Sequence, residues 1–151
     1  MSYFLNFLVC ISMASYSLAQ STDTAKAPSG YLYKVDNAIP GQTVYICGER
    51  PFNANGNLAG SGNLGAQTQQ LFENIKTSLA TVGMTLKDIT QIKYFVKGET
   101  ETSLVSNLDS QQLKSVQSTY LTIPPKIVDM KNVGQTVRND VLIEIEVIAI
   151  K

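Results

Sequence analysis

Between Val141 and Ile150 the chain alternates almost without fault: Val-Leu-Ile-Glu-Ile-Glu-Val-Ile-Ala-Ile. The period of two predicts a strand with Ile143, Ile145, Val147 and Ala149 on one face and Leu142, Glu144, Glu146, Ile148 and Ile150 on the other. So apolar a run belongs in the middle of a sheet. Its second face mixes two carboxylates with three aliphatic side chains, which leaves two readings: solvated charges that discourage aggregation, or a glutamate held partly out of water.

The period changes upstream. Leu71, Phe72, Ile75, Leu79 and Val82 recur at helical spacing and predict a helix from Gln67 to Val82 that Gly83 ends. A second helix is predicted from about Asn107 or Asp109 to Thr119, with Leu108, Val116 and Tyr120 as its thin apolar stripe. Tyr31–Val35, Thr43–Cys47, Asp88–Lys97 and Lys126–Met130 read as strands, with a Pro40-Gly41 turn between the first two. Pro51 to Leu58 contains Asn55-Gly56 and reads as a further hairpin. Pro124-Pro125 forbids helix ahead of Lys126. The order is β-β-β-α-β-α-β-β, an α+β domain whose two helices cover one face of a mixed sheet. The other face and the sheet edges call for subunit association.

Gly60-Ser61-Gly62-Asn63-Leu64-Gly65 spells G-x-G-x-x-G, and Asp88 follows at a spacing that fits a dinucleotide site. That motif needs a buried strand directly before it, and here an Asn- and Gly-rich hairpin tip precedes it. It reads as a loop feeding a helix, so no cofactor is expected.

Composition narrows the chemistry. The 151 residues contain 44% hydrophobic residues, twelve basic and twelve acidic side chains, and no histidine. A neutral balance supplies no electrostatic footprint for nucleic acid or an acidic membrane. Without histidine, the commonest general base, the usual zinc ligand and any Ser-His or Cys-His pair are missing, and no metal is expected. Chemistry would have to run on carboxylates, lysine, tyrosine, backbone groups and water.

Tyr3 to Ala19 carries no charge and ends in Ser17-Leu18-Ala19, small residues where a signal peptidase reads. Residues 1–19 are expected to be a secretory signal, 20–29 a flexible polar leader and 30–151 the folded domain, which places the protein outside the cell or in the periplasm. An uncleaved anchor is the alternative. Cleavage removes Cys10 and leaves Cys47 alone, so no internal disulfide can form. A lone thiol at a strand end is usually inert.

Thr43-Val44-Tyr45-Ile46-Cys47-Gly48-Glu49-Arg50-Pro51, Asn74-Ile75 in the first helix, Gly83, Phe95-Val96-Lys97, Pro124-Pro125-Lys126 and Ile143 through Ala149 occur in an order and spacing that resembles the Rid family, the YjgF-type or RidA-like reactive intermediate deaminases. The resemblance spans essentially all of Gly30 to Lys151. It implies a chorismate-mutase-like fold and a homotrimer with a pocket at each subunit interface. It also implies hydrolysis of 2-imino acids and their enamines to 2-keto acids and ammonia.

Position by position, the family's carboxylate-gripping arginine falls on Lys126, its water-holding glutamate on Glu144, its pocket tyrosine on Tyr31 and its pocket glycine on Gly48. The Ser-Gly-Gln segment becomes Cys47-Gly48-Glu49, with Arg50 where an apolar residue is expected. An ammonium is a hydrated point charge and cannot reproduce a planar fork. Two classes therefore stand open. One is a deaminase of weak or altered activity, with Glu144 and Lys126 catalytic and Tyr31, Cys47, Gly48 and Lys126 binding substrate; a Lys126 Schiff base is a variant of it. The other is an exported trimer that binds a small carboxylate or a partner without catalysis. Family members labelled endoribonucleases or translation inhibitors give a third reading, which neutral charge and export disfavour.

Overall fold

A computed structural model describes residues 32–37, 41–100 and 104–151. The expected signal, the leader, Tyr31 and residues 38–40 of the first turn lie outside these. Among the described residues, five strands form one sheet. They are β1 (Leu32–Asn37), β2 (Gln42–Glu49), β3 (Ile89–Lys97), β4 (Ile127–Val133) and β5 (Ile143–Ile150), in the order β1-β2-β5-β3-β4. The terminal strand is central, as its composition requires: β5 pairs antiparallel with both β2 and β3. Only β3 and β4 run parallel among these pairings, and α2 (Asn107–Tyr120) makes their crossover.

The buried face of β5 is Ile143, Ile145, Val147 and Ala149. With Val44, Ile46, Ile92, Tyr94 and Val96 it meets Leu71, Phe72, Ile75 and Leu79 of α1 (Leu64–Ala80) and Leu113 and Val116 of α2. Tyr94 reaches through this layer and donates its hydroxyl hydrogen to Gln117 Oε1 at 2.8 Å. Burial pushes the Tyr94 phenol well above its usual range.

Helix α1 begins three residues before the apolar stripe suggests, because Asn63 caps it: Asn63 Oδ1 accepts from Ala66 N–H at 3.0 Å. Its end is the Schellman arrangement that Gly83 predicts. Gly83 has φ +70°, Met84 N–H donates to Leu79 O at 3.0 Å, and Gly83 N–H to Ala80 O at 3.1 Å.

Three expectations need correction. The predicted third strand is absent: Phe52 and Leu58 form an isolated bridge around a turn. The Asn53 side chain accepts from Asn55 and Asn57 N–H there, so the local polar run satisfies itself and has no apolar face to bury. In α2, Leu108 is 80% exposed and Leu113 takes its place in the core. β4 also continues to Val133, because its pairing with β3 extends to Lys97.

The G-x-G-x-x-G run is a loop into α1. A Cβ on Gly60, which has φ +56°, would lie 2.4 Å from Ala66 Cβ, so backbone conformation and close packing explain that glycine, whereas one on Gly65 would meet the end of the Gln112 side chain at 2.7 Å. Asp88 accepts from Thr85 N–H and closes a capping box around the 3-10 turn Leu86–Asp88. Among the described residues no helix is long and apolar enough to cross a membrane.

Among the described residues no helix packs on the sheet's other face. Tyr45, Cys47, Gln91, Lys93, Glu146 and Ile148 border a depression of about 90 Å³.

Candidate functional site

The site grows from an irregularity in β2. Ile46 is opposite Val147, but Glu49, not Gly48, is opposite Ile145. Two residues, Cys47 and Gly48, thus face the single Glu146, a bulge for which Gly48 provides φ +68°. A Cβ on Gly48 would meet nothing within 4 Å, so backbone conformation is the reason for this glycine.

The bulge inverts the side-chain alternation beyond it. Glu49 turns inward and is fully buried, while Arg50 reaches the helix-free face beside Glu144. Arg50 Nε lies 3.7 Å from Glu144 Oε1, and the two side chains are 32% and 20% exposed. Asn74 of α1 holds this turn from behind, donating through Nδ2 to both Arg50 O and Phe52 O at 2.9 Å.

The second wall is the segment leading into β5. Gln67, fully buried on α1, donates to Asp140 O at 2.8 Å and Gly60 O at 3.3 Å, and accepts from Leu142 N–H at 2.8 Å. Thr136 donates to Val141 O, and Lys97 Nζ to Asn139 O. Held this way, the segment places Val137 N–H 3.1 Å from Glu144 Oε1. Arg138 pairs through two nitrogens with Asp140 and lies 5.2 Å above the Phe52 ring. Their hydrogen bond lowers the Asp140 carboxyl and raises the Arg138 guanidinium from their ordinary values. Glu144 Oε1 is therefore fixed by an amide and faced by a guanidinium. Its Oε2 accepts no hydrogen bond from a described residue.

Cross-strand register extends the site. Phe95 stands opposite Glu144 and Lys131 opposite Phe95, with Lys131 Nζ 5.0 Å from the ring centroid. A row across β5, β3 and β4 thus reads Glu144, Phe95, Lys131, with Arg50 beside Glu144 just beyond the end of β2. In the next row Cys47 lies near Glu146 and Lys93. Cys47 is exposed, yet partial desolvation and then the Glu146 carboxylate push its thiol up, with Lys93 opposing.

Lys126 does not join this group within the chain. It is exposed and immediately precedes β4, whose Ile127 pairs with Gln91, whereas Glu144 pairs with Phe95. The separation is five residues along the strands and two strands across, roughly 19 Å. Glu144 and Gly48 are brought to one end of the β2–β5 pair, Cys47 borders it, and Tyr31 lies outside the described residues. Among the described residues no three His, Cys, Asp or Glu side chains converge on a metal site.

The residues that sequence reasoning missed are Arg50, the Val137 amide and Phe95. Gly48 inside an otherwise regular strand was the signal for the first, since a left-handed glycine there announces a bulge and a reversed alternation.

Comparison with known proteins places this architecture. The family model described as Endoribonuclease L-PSP matches residues 24–151. The chain belongs to this family, the Rid family. A Rid family protein of Yersinia pestis, YyfB, is 30% identical over 71% of this chain and 77% of its own, with a TM-score of 0.62. RidA from an Antarctic Psychrobacter is 26% identical over 82% of this chain and 93% of its own, with a TM-score of 0.64. Escherichia coli TdcF, whose structure contains bound serine, is 19% identical over 82% of this chain and 86% of its own; its TM-score of 0.60 shows a shared fold. The alternating and helical periods predicted an α+β domain, and the Rid fold is the chorismate-mutase-like form of it that the family resemblance implies.

Proposed function

We propose that this Rid-family protein binds a small 2-imino or 2-keto carboxylate and hydrolyses the imine, with Glu144 holding the attacking water. The observation that carries this reading is the asymmetric environment of Glu144. One carboxylate oxygen is anchored on the Val137 amide, and the other has no hydrogen bond from a described residue, an arrangement that suits a base with a fixed orientation. A bound serine in TdcF, a fold relative, supports a site for a small molecule of amino-acid size.

In this reading water adds to the imine carbon and Glu144 takes one of its protons. The proton passes to nitrogen, the C–N bond breaks, and the iminium carboxylate plus water yields a 2-keto carboxylate and ammonium. Lys126 contributes from an adjoining copy, because the sheet register keeps it away from Glu144 of its own chain. An ammonium makes one point contact with a carboxylate where a guanidinium makes two parallel ones. Activity on 2-iminopropanoate, generated by an amino-acid oxidase, is expected to be weak. Lys126→Arg should raise it about tenfold, the effect of one added charge-assisted hydrogen bond; an unchanged rate would remove Lys126 from the site.

The assembly is a homotrimer joined through the helix-free sheet face, where Tyr45 and Ile148 are half-buried beside charged neighbours. Light scattering after gel filtration should give the mass of three chains, and Ile148→Glu should shift it toward one. A monomeric unmutated protein would exclude a site shared between copies. Should binding of 2-oxobutanoate occur without any imine hydrolysis in either the unmutated protein or Lys126→Arg, the protein is a non-catalytic carboxylate binder. The exposed position of Lys126 and its ammonium chemistry favour that second reading.

A further inference from the structure

A second cavity lies at the C-terminal end of α1, on the helical side of the sheet. Gly83 turns the chain back there, Met84 is buried against the core, and the capped turn Leu86–Asp88 brings Leu86 onto the same cluster. The end of α2 supplies Tyr120. These elements enclose about 380 Å³, bordered by Ala80, Met84, Leu86 and Tyr120 and by the side chains of Lys76 and Lys87. Ala80 stands at the opposite end of α1 from Gln67, roughly 20 Å away, so this cavity is separate from the Glu144 site. The volume and the mostly apolar lining are those of a small-molecule site.

The charged groups around it are unequally committed. Glu73 accepts a hydrogen bond from the Tyr120 hydroxyl and pairs with Lys76 at 3.6 Å. The Asp88 carboxylate accepts from the Thr85 N–H and hydroxyl. Lys87 has neither a hydrogen bond nor an ion pair through its ammonium with any described residue. Both carboxylates are thus occupied, and one cation is left over. The Tyr120 ring is fixed by stacking on buried Phe72, with centroids 5.0 Å apart and planes 12° from parallel.

We propose that this cavity binds a flat aromatic monocarboxylate, with its ring against Tyr120, Met84 and Leu86 and its carboxylate on Lys87. A ring extends the Phe72–Tyr120 stack and meets the Met84 thioether, contacts that an aliphatic chain of similar area does not gain. The carboxylate stays at the open rim beside an exposed ammonium, so it keeps much of its hydration while the ring leaves water. A single uncommitted cation matches a single anionic group. This inference is independent of the reading of Glu144. The subunit contact proposed above uses the helix-free face and leaves the cavity open.

Titration calorimetry with indole-3-acetate and its neutral amide, indole-3-acetamide, tests this. The acid should bind with a Kd below about 1 mM, and the amide about fivefold more weakly, the upper end for an ion pair open to water. Lys87→Met should weaken the acid by the same factor of about five and leave the amide unchanged, while Lys87→Arg should retain acid binding. Ala80→Phe, at an exposed position of α1, fills the cavity and should abolish binding of both ligands. Octanoate should bind more weakly than indole-3-acetate, and excess 2-oxobutanoate should not displace it. Should Ala80→Phe lower the unfolding midpoint, the two Lys87 variants still decide, since both leave the lining in place. The proposal is overturned if neither indole ligand binds the unmutated protein at about 5 mM. Equal affinities for acid and amide, or for octanoate and indole-3-acetate, overturn it as well. Displacement by 2-oxobutanoate would place the ligand at the Glu144 site instead, and unchanged binding in a folded Ala80→Phe variant would place it outside this cavity.

Discussion

Glu144→Gln should abolish imine hydrolysis, by at least about a hundredfold, when placed in the Lys126→Arg background where activity is large enough to follow. The amide keeps the shape of the side chain and an oxygen that can accept from Val137 N–H, so the unfolding midpoint should change little. What it loses is the ability to take a proton from water. Binding of 2-oxobutanoate should survive within a few-fold, because the proposed anion contacts are cationic and come from other residues. A loss of hydrolysis under about threefold would show that another group activates water. Loss of binding together with activity would assign Glu144 to ligand capture alone.

The second large effect is on stability. Gln67→Leu is close to isosteric but removes two donations and one acceptance that tie α1 to the entrance of β5. Gly60 O, Asp140 O and Leu142 N–H would lose these partners around a side chain that is fully buried. Leaving such groups without partners costs about 3 kcal/mol in total, and the thermal midpoint should fall by about 10 °C. Denaturant titration gives the first number and calorimetry the second. A loss below about 1 kcal/mol would mean that Thr136 and Lys97 hold the segment by themselves. The same substitution should weaken the Val137–Glu144 contact, so hydrolysis should fall even at temperatures where the variant is folded.

Both expectations attach function to packing. Gln67 makes no contact with Glu144, yet it fixes the strand start from which Glu144 is two residues away. Asn74 plays the same part for Arg50, through the carbonyls of the turn that follows β2. Helix α1 thus supports both walls of the site from the opposite face of the sheet.

Much of this was legible in the chain itself. Alternation over Ile143–Ile150 is enough to predict a buried central strand, since a period of two can hide one face only in a sheet. Leu71, Phe72, Ile75 and Leu79 likewise demand a helix, and Gly83 its end. The ordered motifs from Thr43 to Ala149 point to the Rid family. Those signals are local, and they survive because neighbours in sequence set them. The Asn-rich turn at 53–57 was misread because hydrogen bonds from the Asn53 side chain imitate a hairpin without requiring a strand.

What only the tertiary structure decided is which charges meet. One extra residue at Cys47–Gly48 reverses the facing of everything after it, and a one-residue phase change leaves composition and periodicity almost untouched. Strand order then keeps Lys126 far from Glu144 and sets Arg50 beside it. Pairing between strands distant in sequence fixes both outcomes. Each strand's own pattern says which face a residue occupies but is silent about its neighbours across the sheet.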